Sequence, residues 1–317
     1  MVLFNLLVLF STVSKFVSGF MVDLELAKLS QVVNSQFVGV AIDSGVIRNR
    51  WMTMDFSSKK LLTLARGLSP SYVRVGGTDC DFLIFNMTED QTLRFKPQAQ
   101  YVVEGELGKT GTNFTMTPED WDKLNLFTKD VGWDLIFDFN VFLRKNGQWD
   151  PTNAKELLKY TVLKGYKPAG YELGNEPNSY YHNFHFRIPG DLMATYFKTL
   201  QNMLDSFPQL GTPIIIGPDT TQMKRKSARD YLTLFLSSGG GESVDVATFH
   251  HYYFDSKTAT IEQFYNPTIM DSLTPQIKTA VNICRQNAPG KQCWLGETSS
   301  SYGGGAWGLS DRYVAGF

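Results

Sequence analysis

Three cysteines among 317 residues are too few to staple a fold, and a chain of this length has room for one large domain or two ordinary ones without stapling. Cys80, Cys284 and Cys293 leave one thiol without a mate in this chain. Their spacing has no Cys-x-x-Cys or His-adjacent pattern, so no metal is expected. Cys284 falls on an expected helix and Cys293 at the start of an expected strand, which permits either a local bridge or two buried thiols. An excess of one charge is also missing: Lys and Arg number 30 against 31 Asp and Glu. That balance excludes a global field able to hold nucleic acid or an anionic membrane, so any polyanion must be held by a local cluster. Internal repeats and low-complexity tracts are absent. The apolar stretch from Val2 to Phe10 is too short for a transmembrane span, which takes about 20 residues.

What is present is apolar material, at 43% of residues, with 14% aromatic. That is far too much for a disordered chain. Residues 1–19 suit a signal peptide, with Val17 and Gly19 placed for cleavage before Phe20, and the tripeptides at Asn86 and Asn113 are glycosylation sequons that fit the same route. Residues 20–317 then make one domain, destined for secretion, the extracellular matrix or the lysosome.

Short β-branched or aromatic runs ending in polar residues recur seven times. They are Phe37 to Asp43, Tyr72 to Gly77, Asp134 to Asn140, Ala169 to Asn175, Pro213 to Asp219, Val244 to Tyr252 and Gln292 to Glu297. Amphipathic stretches lie between them, as in Ile188 to Phe207, where Leu192, Tyr196, Leu200, Met203, Leu204 and Phe207 share one side. This alternation predicts a parallel α/β fold of the (β/α)8 barrel type, in which active sites gather at the carboxyl ends of the strands. A dinucleotide-binding sheet is disfavoured, because no G-x-G-x-x-G opens a helix after the first strand. Only seven strands are legible, so the barrel is expected to be truncated before strand 8. The polar, sequon-bearing stretch 86–118 reads as an exposed insertion between strands two and three.

Two acidic motifs carry the most chemistry: YELGNEPNS from Tyr171 to Ser179 and WLGETSS from Trp294 to Ser300. Each sets a Glu at a strand end, and Pro177 turns the chain so that Glu176 faces the barrel mouth. Two carboxyls converging on one cleft suit glycosidic cleavage, one donating a proton to the leaving oxygen and the other meeting the oxocarbenium ion. A separation of about 5–5.5 Å gives retention, and about 6.5–9.5 Å gives inversion. The acid must keep its proton near neutral pH, which needs apolar walls or its partner's charge. Of His250 and His251, strand alternation sends one ring into the barrel and the other away. The basic run Met223 to Lys226, with Arg229, is either a solvated helix face or the holder of an anionic substrate at the rim. Asp43, Thr78 and Gln222, at strand ends, either cap turns or bind sugar hydroxyls.

With LARGLSPSYVRVGGT (Leu64 to Thr78), DFLIF (Asp81 to Phe85), KGYKPAGYELGNEPNSY (Lys164 to Tyr180), FHHYYF (Phe249 to Phe254) and WLGETSSSYGGGA (Trp294 to Ala306), the chain resembles the heparanase family of retaining endo-β-glucuronidases. The resemblance implies Glu176 as proton donor on strand four and Glu297 as nucleophile on strand seven, with no cofactor or metal. It implies substrate contacts from Asp43, Thr78, Asn175, Gln222, Lys224, His250, Lys257, Gly303 and Gly304. The implied substrate is heparan sulfate or a related glycosaminoglycan, with peripheral membrane association only through proteoglycans. Lys224 and Lys257 stand where mammalian members carry arginine, which keeps the charge and loses the bidentate fork. The insertion is shorter than the mammalian excised linker and keeps only Lys109 of its basic end, which predicts a single-chain enzyme needing no excision. SDRYVAGF (Ser310 to Phe317) resembles the hyaluronan-cleaving branch. Family members continue through an eighth strand into a β-sandwich, which is expected to be lacking here. The alternatives are a hyaluronan-cleaving or other β-glucuronidase and a non-catalytic glycan-binding homologue.

Overall fold

Seven strands, each followed by a helix or loop that returns the chain to the same edge, form one sheet in which every neighbouring pair is parallel. The computed structural model describes residues 33–87 and 111–316. The expected signal segment 1–19 and Lys109 lie outside the described residues. The fold is that of the larger of two compact units, Ser35–Phe317.

The succession is β1 (Val40–Asp43), α1 (Lys59–Gly67), β2 (Ser71–Gly76), α2 (Pro118–Val131), β3 (Trp133–Phe139), α3 (Thr152–Lys164), β4 (Gly170–Leu173), α4 (Gly190–Asp205), β5 (Ile214–Thr220), α5 (Lys226–Phe235), β6 (Val246–Asp255), α6 (Leu273–Asn287) and β7 (Gln292–Tyr302). All seven expected strands are present, and the strand order from β1 to β7 is that of a (β/α)8 barrel. No eighth strand is among the described residues. The sheet curls strongly, because Tyr72 on β2 and Trp294 on β7 bring their rings to 5.4 Å.

The helices begin and end where local chemistry allows. Ser58 caps α1 by accepting the Leu61 N–H. Thr117 and Asp120 form a reciprocal capping box ahead of α2, which stops at Gly132 with φ 72°. Along α4 the buried face is broader than the expected stripe: Met193 and Phe197 are buried with Tyr196, Leu200, Met203 and Leu204, while Leu192 and Phe207 are only half-buried. Phe197 packs directly beneath Gly217 of β5, where a Cβ would stand 2.3 Å from its ring.

The expectation of an exposed insertion over 86–118 is corrected at its C-terminal end, while Asn86 and Met87 at its start are half-exposed and exposed. Phe114–Met116 pairs in parallel with Leu83–Phe85, Asn153 of α3 bonds both backbone groups of Phe85, and Met116 and Thr117 are buried. Its polar composition hid this, because the ladder is only three residues long. Residues 88–110 lie outside the described residues.

Side chains pointing down the barrel axis form layers. At the floor Ile136, Ile216 and Val246 make an apolar cluster with Tyr72, Ile214 and Trp294. Above it sits a charged layer of Arg74, Asp138, Glu172 and Asp219, all buried. Cys284 on α6 and Cys293 on β7 are free thiols hydrogen-bonded to each other, and Cys80 is buried apart from them.

Candidate active site

Glu176 lies three residues beyond β4, at the end of the turn Gly174-Asn175-Glu176. Its φ of 52° is a left-handed conformation that non-glycine residues adopt rarely. The turn is held from outside the strand: the Glu176 N–H donates to the Asp219 carbonyl at 3.0 Å, Asp81 accepts from the Asn175 N–H at 3.3 Å and the Tyr180 hydroxyl at 2.8 Å, and Asn178 bonds Thr221. Pro177 then opens a short 3-10 turn, as its fixed φ favours.

Glu297 corrects a sequence expectation. It does not end its strand, since β7 runs on to Tyr302 with Phe254 and Asp255 of β6 still paired alongside. Simple alternation from the inward Trp294 would send Glu297 outward. A register shift sets Leu295 against Phe249 but Glu297 against His250, so Gly296 is the extra residue of a β-bulge that turns Glu297 inward. A side chain at Gly296 would meet Asp219 Oδ1 at 3.1 Å and Thr248 Cβ at 3.3 Å.

The two carboxyls meet at His250. Its Nδ1 lies 3.1 Å from Glu176 Oε1 and 3.8 Å from Glu297 Oε2, while Nε2 lies 3.4 Å from Asp219 Oδ1. Two oxygens that close to one nitrogen exclude most of the ~6.5–9.5 Å range of an inverting pair and fit the ~5–5.5 Å of a retaining one. His251 points outward instead, to Gln276 of α6 at 2.8 Å, so alternation separates the two rings as expected.

Burial works against the charged imidazole of His250, but Glu297, Asp219 and Glu176 together outweigh it and push its pKa up to about 10. Burial raises the Glu297 carboxyl, and His250, Arg74 and the Tyr252 hydroxyl outweigh that and hold it below the ordinary carboxylate range. Asp219 is brought down to about 2 against its burial, by Arg74 and His250. Arg74 is the hub of this charge. Its Nε donates to Glu172 Oε2 at 2.7 Å, Nη1 to Glu297 Oε2 at 2.8 Å and Nη2 to Asn175 Oδ1 at 2.9 Å.

Beside Glu297 is a cavity of about 340 Å³ between β1–β2 and β6–β7, lined by Asp43, Arg74, Gly77, Tyr252, Ser299 and Gly304 among others. Its volume is that of a small ligand pocket. Of the expected contact residues, Asp43 and Gly304 line this cavity, while Asn175 and His250 are buried, bonded to Arg74 and to Glu176. Asp43 accepts the Gly45 N–H at 2.7 Å, and Gly304 turns with φ 87°. Gln222 is buried near the end of β5, and its Oε1 has no hydrogen-bond partner among the described residues. Thr78, Lys224, Lys257 and Gly303 are exposed and do not line the cavity. Asn86 and Asn113 are half-exposed.

Arg74, Glu172, Asp138, Asp219 and Tyr252 were not singled out from the sequence. A signal existed for two of them: Arg74 in SYVRVG and Glu172 in GYEL are charges in the middle of apolar strands, which an interior tolerates only when paired.

The family profile for glycosyl hydrolase family 79, N-terminal domain, matches residues 46–317. Heparanase of Gallus gallus is 36% identical over 315 residues, covering 90% of this chain and 60% of that protein. Hyaluronoglucuronidase of Hirudo nipponia is 33% identical over 305 residues, with coverage again 90% and 60%. The chain thus spans about 60% of the length of these relatives. Among solved structures, a 4-O-alpha-L-rhamnosyl-beta-D-glucuronidase from Fusarium oxysporum superposes with a TM-score of 0.57 at 17% identity, covering 86% of this chain and 56% of that one, a likeness of fold.

Proposed function

The chain belongs to glycosyl hydrolase family 79, and on that premise we propose that it is a retaining endo-β-glucuronidase acting on internal glucuronidic bonds of heparan sulfate. The observation that carries the reading is the shared approach of Glu176 and Glu297 to His250 Nδ1, at 3.1 and 3.8 Å. Glu176 is the proton donor and Glu297 the nucleophile. Glu297 is suited to attack because Arg74, His250 and Tyr252 keep it ionised. Glu176, bonded to His250, protonates the glycosidic oxygen as Glu297 bonds to the anomeric carbon. The resulting glycosyl ester is then hydrolysed by a water from which Glu176 takes a proton, returning both carboxyls to their first states.

Asp43, Asn175, Gln222, His250 and Gly304 would bind the glucuronate and its neighbour. Thr78, Lys224, Lys257 and Gly303, further out, would meet the flanking, anionic units. Secretion or lysosomal residence, glycosylation at Asn86 and Asn113 and single-chain action belong to the same proposal. Contact with membranes would come through proteoglycans alone.

Glu297→Gln should abolish cleavage of a heparan sulfate oligosaccharide, followed by mass, while binding by calorimetry persists. Undiminished cleavage by that variant refutes the assignment, and NMR of the first-formed anomer tests retention. Hyaluronan is a second reading, supported by a leech hyaluronoglucuronidase nearly as similar as the chicken heparanase. Parallel digestion of sulfated and unsulfated chains decides between them.

A further inference from the structure

The charged layer beneath the mouth holds more carboxylates than cations. Arg74 and His250 face Asp138, Glu172, Asp219 and Glu297, each within 4 Å of one or both cations. Were all four ionised, two negative charges would stand uncompensated in the interior, a state that buried groups avoid by keeping protons.

Geometry says which group keeps one. Asp219 lies within 3.5 Å of Arg74 and 3.4 Å of His250. Glu297 has Arg74, His250 and the Tyr252 hydroxyl. Glu172 takes the Arg74 Nε at 2.7 Å, which opposes a burial that still pushes its carboxyl up to about 8. Asp138 has no such claim: its side chain is fully buried, its nearest cation is Arg74 Nη2 at 3.9 Å, and, although Asp219 shares the lack of hydrogen bonds to its oxygens among the described residues, Asp138 has no second cation beside it. The remaining titratable neighbours, Asp81 and Cys80 from the loop after β2 and Tyr180 from the turn after β4, bring no positive charge, and burial pushes all three of their own pKa values up. Burial also drives the Asp138 carboxyl well above its ordinary range, with Glu172 adding to the rise and Arg74 opposing it.

We propose that Asp138 is a neutral carboxylic acid in the resting protein, and that Glu172 beside it is a positioning residue that aims the Arg74 fork at Glu297. The catalytic half of this statement rests on Glu297 being the nucleophile, and the proton on Asp138 does not. With Nε fixed by Glu172, the planar guanidinium has one orientation left, in which Nη1 meets Glu297 and Nη2 meets Asn175.

The test uses the full 317-residue chain. Difference infrared spectra at pH 7 of wild type against Asp138→Asn should contain the stretch of a protonated carboxyl that the variant lacks. Identical carboxyl bands in the two proteins overturn the proton assignment, whether or not the protein cleaves glycans. Glu172→Gln should lower kcat on a heparan sulfate oligosaccharide at least tenfold with KM within about twofold, because the Arg74 fork then loses the carboxylate anchor on its Nε. A kcat within twofold of wild type, or a loss carried by KM instead of kcat, overturns the positioning role. Should Glu172→Gln fail to fold, Asp138→Asn still decides the proton. A wild type that cleaves no glucuronide sinks the function while leaving the infrared comparison intact.

Discussion

At His250 one imidazole faces three carboxyl groups, and its own stability contribution follows from that. A histidine near 6.5 in the unfolded chain and near 10 in the fold binds its proton more tightly when folded. Its stabilisation is therefore complete below about pH 6.5, shrinks as pH rises and is gone once pH passes about 10. The melting temperature of wild type should exceed that of His250→Gln by an amount that falls across this window, read by calorimetry at several pH values. A constant difference would mean that the ring contributes by packing alone. From the sequence His250 was visible as half of a pair, and alternation correctly assigned the two rings different faces. Its partners were less visible, because a carboxylate's role depends on which strands curl toward each other. Tyr252 is the clearest case: nothing in FHHYYF says that the first tyrosine reaches Glu297.

Among the elements, the strands were legible because each ends an apolar run, while their extents were not. β6 and β7 run to Asp255 and Tyr302, well past the expected ends, because each supplies the other with a parallel ladder there. The bulge at Gly296 was equally hidden, since WLGE carries no mark of an extra residue until its neighbour's register is known. Helix α2 gives a test at this scale. Thr117 caps Asp120, and Asp120 also accepts from Trp51 Nε1 at 2.9 Å, tying the helix start to the segment after β1. Thr117→Ala should cost about 1 kcal/mol by urea unfolding. A loss below a few tenths would show that Asp120 holds the turn without its reciprocal bond.

For the whole molecule, near-neutral net charge makes polyanion capture a local matter. Lys224, Arg225 and Lys226 stand exposed at the start of α5. Replacing all three by alanine should raise KM for a sulfated chain severalfold and flatten its salt dependence, leaving kcat nearly unchanged, as steady-state kinetics at two ionic strengths can check. An unaltered salt slope would place the polyanion elsewhere.

The aromatic and aliphatic floor of Tyr72, Ile136, Ile216, Val246 and Trp294 gives this scaffold an apolar base, half-buried at Tyr72 and Trp294. Water and hydrogen ions therefore reach the charges above most directly from the mouth, where the proposed substrate would sit. A glycan seated there would cover the cavity beside Glu297 and slow exchange of hydrogen ions with solvent from that side. Solvent pH would act on the empty enzyme between turnovers far more than on the loaded one.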